Sequence, residues 1–243
     1  TAGFILEEGL ELKVLERIVR SMAVCAREAG VEIISGDTKV VEGNGGLMIN
    51  TSGVGVVPPD TDIHPSLIKE GDAVILTGNL GEHHAAILGC RMGIDNDILS
   101  DAAPLTEMIG RLMDKCPDIH AMRDVTRGGL GTVLNEFAAA SGTLMEIDEV
   151  MLPVSAPVRD FAGILGLDPM YMGNEGKAVV VTAEKDAAEA LEIIRKSKYG
   201  ENAALIGRVA KKQNGRGEVV LNTSVGGKRI VKPMFGEGLP RIC

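Results

Sequence analysis

The stretch R-D-V-T-R-G-G-L-G-T-V at 123–133 is rich in groups that do chemistry. Gly128 and Gly129 stand just before an apolar run of helical period. They let a ligand approach the backbone and leave the first N–H groups of the helix free. A helix N-terminus of this kind attracts anions, and Arg127 adds a full positive charge beside it. Asp124 or Thr126 suits a helix cap or a metal ligand. The plainer alternative is a capped helix behind a glycine turn, with nothing bound. The P-loop spacing G-x-x-x-x-G-K-S/T is absent.

Three other stretches add to it. G-D-T-K at 36–39 is expected at the end of a strand, where Gly36 permits a tight turn. Asp37 is a hard oxygen donor suited to Mg2+, and Lys39 is a point charge suited to phosphate. A hairpin turn with solvated Asp and Lys is the alternative. N-E-G-K at 174–177 sets Glu175 in a loop before a buried strand. A carboxylate there serves as general base, metal ligand or turn residue. G-E-H-H at 81–84 offers paired imidazoles to a metal or phosphate, or caps or solvates a helix start. Acids, bases and Gly-rich turns at element ends are together what a nucleotide-phosphate and Mg2+ site needs. The chain also ends on a thiol, Cys243. Its own carboxylate disfavours the thiolate, and Arg241 alone offsets that.

These residues need elements to hold them. Residues 9–29 predict a helix, with Leu15, Ile18, Met22, Cys25 and Ala29 on one stripe and Gly30 as its stop. Cys25 then belongs to a core. V-E-I-I-S (31–35) and residues 47–57 read as strands joined through G-D-T-K-V-V. The Pro-rich 59–65 stretch is a linker. Beyond it, 72–78 is a buried strand, followed by helices near 83–92 and after Pro104. Residues 130–141 carry the strongest helical stripe: Leu130, Val133, Leu134, Phe137 and Ala138, closed by Gly142. Strands follow at 144–148, 178–183, 204–210 and 218–222, and helices near 156–164 and 185–197. The alternation predicts an α+β or mixed α/β protein of two domains. The expected division is a partial N-terminal domain (1–58), linker (59–65), layered C-terminal domain (66–232) and a flexible tail (233–243). One helix and two strands in the first segment are too few to cover a sheet, as if its front half were missing.

Composition narrows the class. A net charge of −9 with no basic stripe makes nucleic acid a poor partner. No apolar run approaches a membrane span. The four cysteines, Cys25, Cys90, Cys116 and Cys243, form no C-x-x-C pair, and the four histidines complete no zinc pattern. A reducing cytoplasm is the expected compartment. A prenyl signal is excluded, because it needs Cys fourth from the end.

In this order, G-D-T-K-V-V, G-N-L-G-E-H, R-D-V-T-R-G-G-L, L-D-P-M-Y-M-G-N-E-G-K and terminal P-R-I-C resemble the HypE family. Its members are carbamoyl dehydratases of NiFe-hydrogenase maturation. They belong to the superfamily of aminoimidazole ribonucleotide synthetase, selenophosphate synthetase and thiamine-phosphate kinase. The resemblance covers the whole chain and implies a reaction. A terminal Cys accepts a carbamoyl group from a HypF-type carbamoyltransferase, and ATP activates the carbamoyl oxygen. Loss of phosphate leaves a thiocyanate, whose cyanide passes to iron on a HypC–HypD complex. It implies Cys243 as acceptor, Asp37 and Thr38 at a metal–phosphate site with Asp37 on Mg2+, and Lys39 beside the phosphoryl or activated oxygen. It implies Glu175 as base, and Asp124, Thr126, Arg127, Gly128 and Gly129 as the nucleotide loop of the second domain. His83 matches a family histidine, although the family's G-D-H-G reads G-E-H-H here. A homodimer and a cytoplasmic location are also implied. The family's N-terminal acidic Mg-ATP segment has no counterpart before Thr1, so a shortened chain with an incomplete ATP site is expected. The rival readings are another ATP-dependent kinase or synthetase of the superfamily, and a fragment that only docks maturation partners.

Overall fold

The computed structural model describes residues 1–59, 61–211 and 217–234. The chain divides into two units, Thr1–Thr61 and Asp62–Cys243. The protein is mixed α/β, as expected.

In the first unit, strand β1 (Ala2–Glu7) is followed by helix α1 (Leu12–Ala29) and strands β2 (Gly36–Val41) and β3 (Leu47–Thr51). The sheet order is β2-β1-β3, with β2 parallel and β3 antiparallel to β1. The α1 crossover makes the parallel pair possible. G-D-T-K is therefore not a turn: it lies inside β2, with Asp37 opposite Gly3 and Lys39 opposite Ile5. Gly36 allows close strand approach there, since a Cβ would lie 2.1 Å from the Ala2 carbonyl oxygen. V-E-I-I-S forms no strand, and β1 was not anticipated. No residue of α1 is fully buried, and Cys25 is exposed rather than core. Gly30 does stop α1, at φ 67°, as a left-handed C-cap.

The second unit is built on a seven-stranded mixed sheet. Its elements are β4 (Ala73–Leu76), α2 (Glu82–Met92), α3 (Thr106–Lys115), β5 (Ile119–Asp124), α4 (Gly129–Ser141) and β6 (Leu144–Asp148). They continue with α5 (Ala156–Leu165), β7 (Ala178–Thr182), α6 (Glu184–Lys196), β8 (Ala204–Ala210), β9 (Glu218–Asn222) and β10 (Lys228–Ile230). The strand order is β10-β9-β6-β8-β4-β7-β5. All pairs are antiparallel except β6–β9. Both faces of the central strands are covered, as their unbroken apolar runs require. Val74, Leu76, Val179 and Val181 point into one cluster with Leu130, Leu134 and Phe137 of α4. Ile75 and Val180 point the opposite way, into a cluster with Met108 and Leu112 of α3 and Ile193 and Ile194 of α6. That is the two-residue period of a strand buried on both sides.

β7 runs antiparallel to both β4 and β5. Its start therefore lies at the same end of the sheet as the ends of β4 and β5. Three loops meet there. Among the described residues, no helix is long and apolar enough to cross a membrane.

Candidate functional site

The three loops are 77–81 after β4, 125–128 after β5, and 172–177 before β7. They contain parts of three of the motifs singled out above. Backbone bonds join them: Thr77 N–H to Ala178 O at 3.0 Å, Val125 N–H to Lys177 O at 3.0 Å, and Asn174 N–H to Val125 O at 3.0 Å. One side chain then ties all three. Asn174 is fully buried. Its Oδ1 accepts the Gly81 N–H at 2.7 Å. Its Nδ2 donates to Val125 O at 2.9 Å and Met172 O at 3.0 Å. An amide is the one side chain here that offers an acceptor and two donors at once.

The nucleotide-type loop starts α4 with two left-handed glycines, Gly128 at φ 79° and Gly129 at φ 62°. A Cβ on Gly129 would sit 2.6 Å from the Met170 carbonyl oxygen, so α4 begins directly against 170–171. Neither Asp124 nor Thr126 caps this helix, contrary to one of the expected alternatives. Instead the Thr126 hydroxyl donates to Asp124 Oδ2 at 2.6 Å, at the end of β5. Asp124 and Arg127 are exposed, and Thr126 is half-buried. Among the described residues, the Leu130 and Gly131 N–H groups in the first turn of α4 have no acceptor. Free N–H groups at a helix start suit an anion.

Glu175 is half-buried in the third loop. Its N–H donates to Asp101 Oδ1 at 3.0 Å. The next residue explains the glycine of N-E-G-K. A Cβ on Gly176 would lie 2.0 Å from the Asp101 carbonyl oxygen and 2.9 Å from the Ala103 nitrogen. Gly176→Ala is therefore expected to cost about 3 kcal/mol, because both neighbours are backbone and must be pushed back. Urea unfolding of that variant against the parent checks this; a cost under about 1 kcal/mol would mean the 101–103 segment yields freely.

G-E-H-H opens α2, but the pair is not solvated. His84 is 2% exposed. Its backbone N–H donates to Gly173 O at 3.2 Å, and its Nδ1 accepts the Gly173 N–H at 3.3 Å. Burial, and then the neighbouring His83, depress its pKa to about 4. His83 pairs through Nδ1 with Ser100 Oγ at 2.8 Å. Both Nε2 atoms are buried without a partner among the described residues.

Asp37, Thr38 and Lys39 lie on β2 of the first unit, and all three are exposed. Asp37 Oδ1 accepts the Thr38 N–H at 2.9 Å, and Lys39 Nζ lies 3.7 Å from Asp37 Oδ2. Within the second unit, Asp124, Thr126, Arg127, Gly128, Gly129, His83 and Glu175 gather around the three joined loops. Cys243 lies outside the described residues. Sequence reasoning missed Asn174, Asp101 and Lys177 as parts of this framework, and read His84 as a ligand or a solvated helix start rather than a buried joint. The signal for Asn174 and Lys177 was at hand, since they flank Glu175 in the quoted motif.

Known proteins resemble the chain along its whole length. Residues 1–57 match the model of the AIR synthase related protein N-terminal domain, and 69–220 match that of its C-terminal domain. The chain is 46% identical to carbamoyl dehydratase HypE of Azotobacter vinelandii over 100% of its own length and 72% of that protein. It superposes on hydrogenase maturation protein HypE in complex with ATP with TM-score 0.92 and 41% identity, covering 100% of this chain and 74% of that one. It also matches a chain of a HypE–HypF complex with TM-score 0.88 and 40% identity, covering 96% and 76%. Identity of this order across the whole chain settles descent: the chain belongs to the HypE family of carbamoyl dehydratases, within the AIR synthase related proteins.

Proposed function

We propose that the chain uses ATP to dehydrate an S-carbamoyl group on Cys243 to a thiocyanate, which supplies cyanide to a NiFe-hydrogenase iron. The observation that supports this most is the joining of three motif loops through Asn174 at one end of the sheet. That joint holds Glu175 and the free N–H groups of α4 on one rigid frame. The ATP complex of a 41% identical relative supports the choice of nucleotide. Mg2+ keeps waters and takes one or two protein carboxylates along with phosphates. Among the described residues no three His, Cys, Asp or Glu gather to cage a metal alone. Mg2+ arriving with the nucleotide would need only one such carboxylate, and the exposed Asp37 is the one that would hold it.

ATP supplies a phosphoryl group that turns the carbamoyl oxygen into a good leaving group. Cys–S–C(=O)NH2 then loses that oxygen as phosphate and gives up both N–H protons. One proton stays with the phosphate, the other is released, and Cys–S–C≡N and ADP remain. Glu175 takes an N–H proton, and its buried tethers fix where it stands. Lys39 stabilises the phosphoryl group or the activated oxygen as charge builds there. The α4 N-terminus, with Arg127, holds phosphate. Thr38 positions Asp37 through its N–H. His83 supports the Ser100 side of the frame. The carbamoyl donor is a HypF-type transferase, in keeping with the HypE–HypF complex of a relative. A HypC–HypD scaffold is the cyanide acceptor, a homodimer the working form and the cytoplasm its place.

Intact mass tests this reading against the expectation of an incomplete ATP site, under which little conversion would occur. The carbamoylated protein, given Mg-ATP, is expected to shift to the thiocyanate mass, and Cys243→Ser to show no such species. Glu175→Gln is expected to bind ATP as before and slow the conversion at least about 100-fold. Conversion by Cys243→Ser at another residue would refute the assignment.

A further inference from the structure

A buried ion pair lies directly behind Glu175. Lys177 Nζ and Asp101 Oδ2 are 3.7 Å apart, with side chains 8% and 1% exposed. They line a cavity of about 240 Å3 with Gly78, Asn79, Glu82 and Ser100. The separation is within ion-pair range but beyond hydrogen-bond reach. Asp101 Oδ2 has no hydrogen-bond partner among the described residues. Such a pair is a poor source of stability, because an apolar pair of the same volume avoids the desolvation of both charges. An apolar residue cannot do what Asp101 Oδ1 does, which is to accept the N–H of Glu175.

The contacts on either side show how closely this backbone is held. Before Glu175, the Asn174 amide is fixed by Gly81, Val125 and Met172. After it, Gly176 sits against the 101–103 backbone with no room for a methyl group. Lys177 then bonds through its carbonyl to Val125. Its side chain passes so close to Gly78 that a Cβ there would be 3.0 Å from Cε. The Lys177 ammonium is thus led to Asp101 by its surroundings.

We propose that Asp101 is a positioning residue: anchored by Lys177, its carboxylate holds the Glu175 backbone and so sets where the Glu175 side chain meets the reacting group. This rests on the reading of Glu175 as the base. A displacement of about 1 Å in such a group lowers turnover by up to about 100-fold.

The experiment measures amide hydrogen exchange at Glu175, and kcat and KM for ATP in the thiocyanate-forming reaction, for Asp101→Ala, Asp101→Asn/Lys177→Met and Glu175→Gln. In Asp101→Ala, exchange at Glu175 is expected to quicken while Ala178, bonded to the Thr77 hydroxyl, keeps its protection. Its kcat falls at least about 10-fold, with KM for ATP changed less than about twofold. The double variant keeps an acceptor for Glu175 and has no buried charge. It is expected to recover both slow exchange and most of kcat. A purely structural Asp101 would lower the unfolding midpoint without that split. Unchanged Glu175 exchange or unchanged kcat in Asp101→Ala overturns the proposal alone. Full turnover by Glu175→Gln overturns the base reading and the proposal with it, and the exchange data tell the two failures apart.

Discussion

Asn174→Asp is expected to destabilise the second unit by about 4 kcal/mol at neutral pH, although it changes no shape. One carboxylate oxygen can still accept the Gly81 N–H. The other replaces Nδ2 and faces two carbonyl oxygens, Val125 and Met172, at 2.9 and 3.0 Å. The site is fully buried, so water cannot relieve that repulsion. Protonating the new carboxyl restores one donor. Its folded pKa must therefore rise above the unfolded value, and the penalty must grow as pH rises. Urea unfolding at pH 5 and pH 7.5 checks the sign: the difference from the parent should be smaller at pH 5. Catalysis should suffer along with stability, because the three loops share this one side chain. A loss under about 1 kcal/mol, or one that shrinks with pH, would mean the loops are held by their backbone bonds alone.

Why this residue was hard to see follows from its chemistry. Asn in a Gly-flanked loop usually signals a turn, and nothing local distinguishes a turn Asn from a buried joint. The same holds for Asp101, whose partners Glu175 and Lys177 are more than seventy residues away. By contrast, α4 was legible because Leu130, Val133, Leu134 and Phe137 repeat at helical spacing and Gly142 ends the helix in a left-handed cap. β4 and β7 were legible as short apolar runs, buried on both faces. β2 was misread because of its residue types. Its Gly, Asp, Thr and Lys look like a turn, and only parallel pairing with β1 across a helix makes it a strand. V-E-I-I-S has the opposite defect, strand-like residues with no partner strand. β5 escaped because its polar residues, His120, Arg123 and Asp124, interrupt the apolar pattern on an edge strand. In the second unit, the residues proposed to touch a ligand, Asp124, Arg127 and Glu175, are charged and sit at element ends, so sequence finds them. The residues that aim them are neutral or paired through space, so it does not.

Lowering the pH from 7 to 5 is expected to cost the protein about 2 kcal/mol through His84 alone. The imidazole is buried, and its pKa is depressed from 6.5 to about 4, chiefly by desolvation and then by His83. The folded state thus keeps His84 neutral while the unfolded chain takes up a proton below pH 6.5. Between those two values the unfolded state binds more protons, so stability falls as pH falls and is flat above about 7. The carboxylates held low do not act in this window. Asp118, lowered mainly by its hydrogen bond to Lys185, and Glu149, lowered mainly by the Ser224 N–H, lose their contributions only below the ordinary carboxylate range. The geometry makes the proton more costly still. Nδ1 accepts the Gly173 N–H, so a second ring proton would set two donors face to face beside Asn174. His84→Asn keeps an acceptor near that position and cannot titrate. Its urea-unfolding free energy should lose about 2 kcal/mol of the decline between pH 7 and 5 that the parent shows. An equal decline in both proteins would mean that His84 titrates at its ordinary pKa and does not hold α2 against the Glu175 loop.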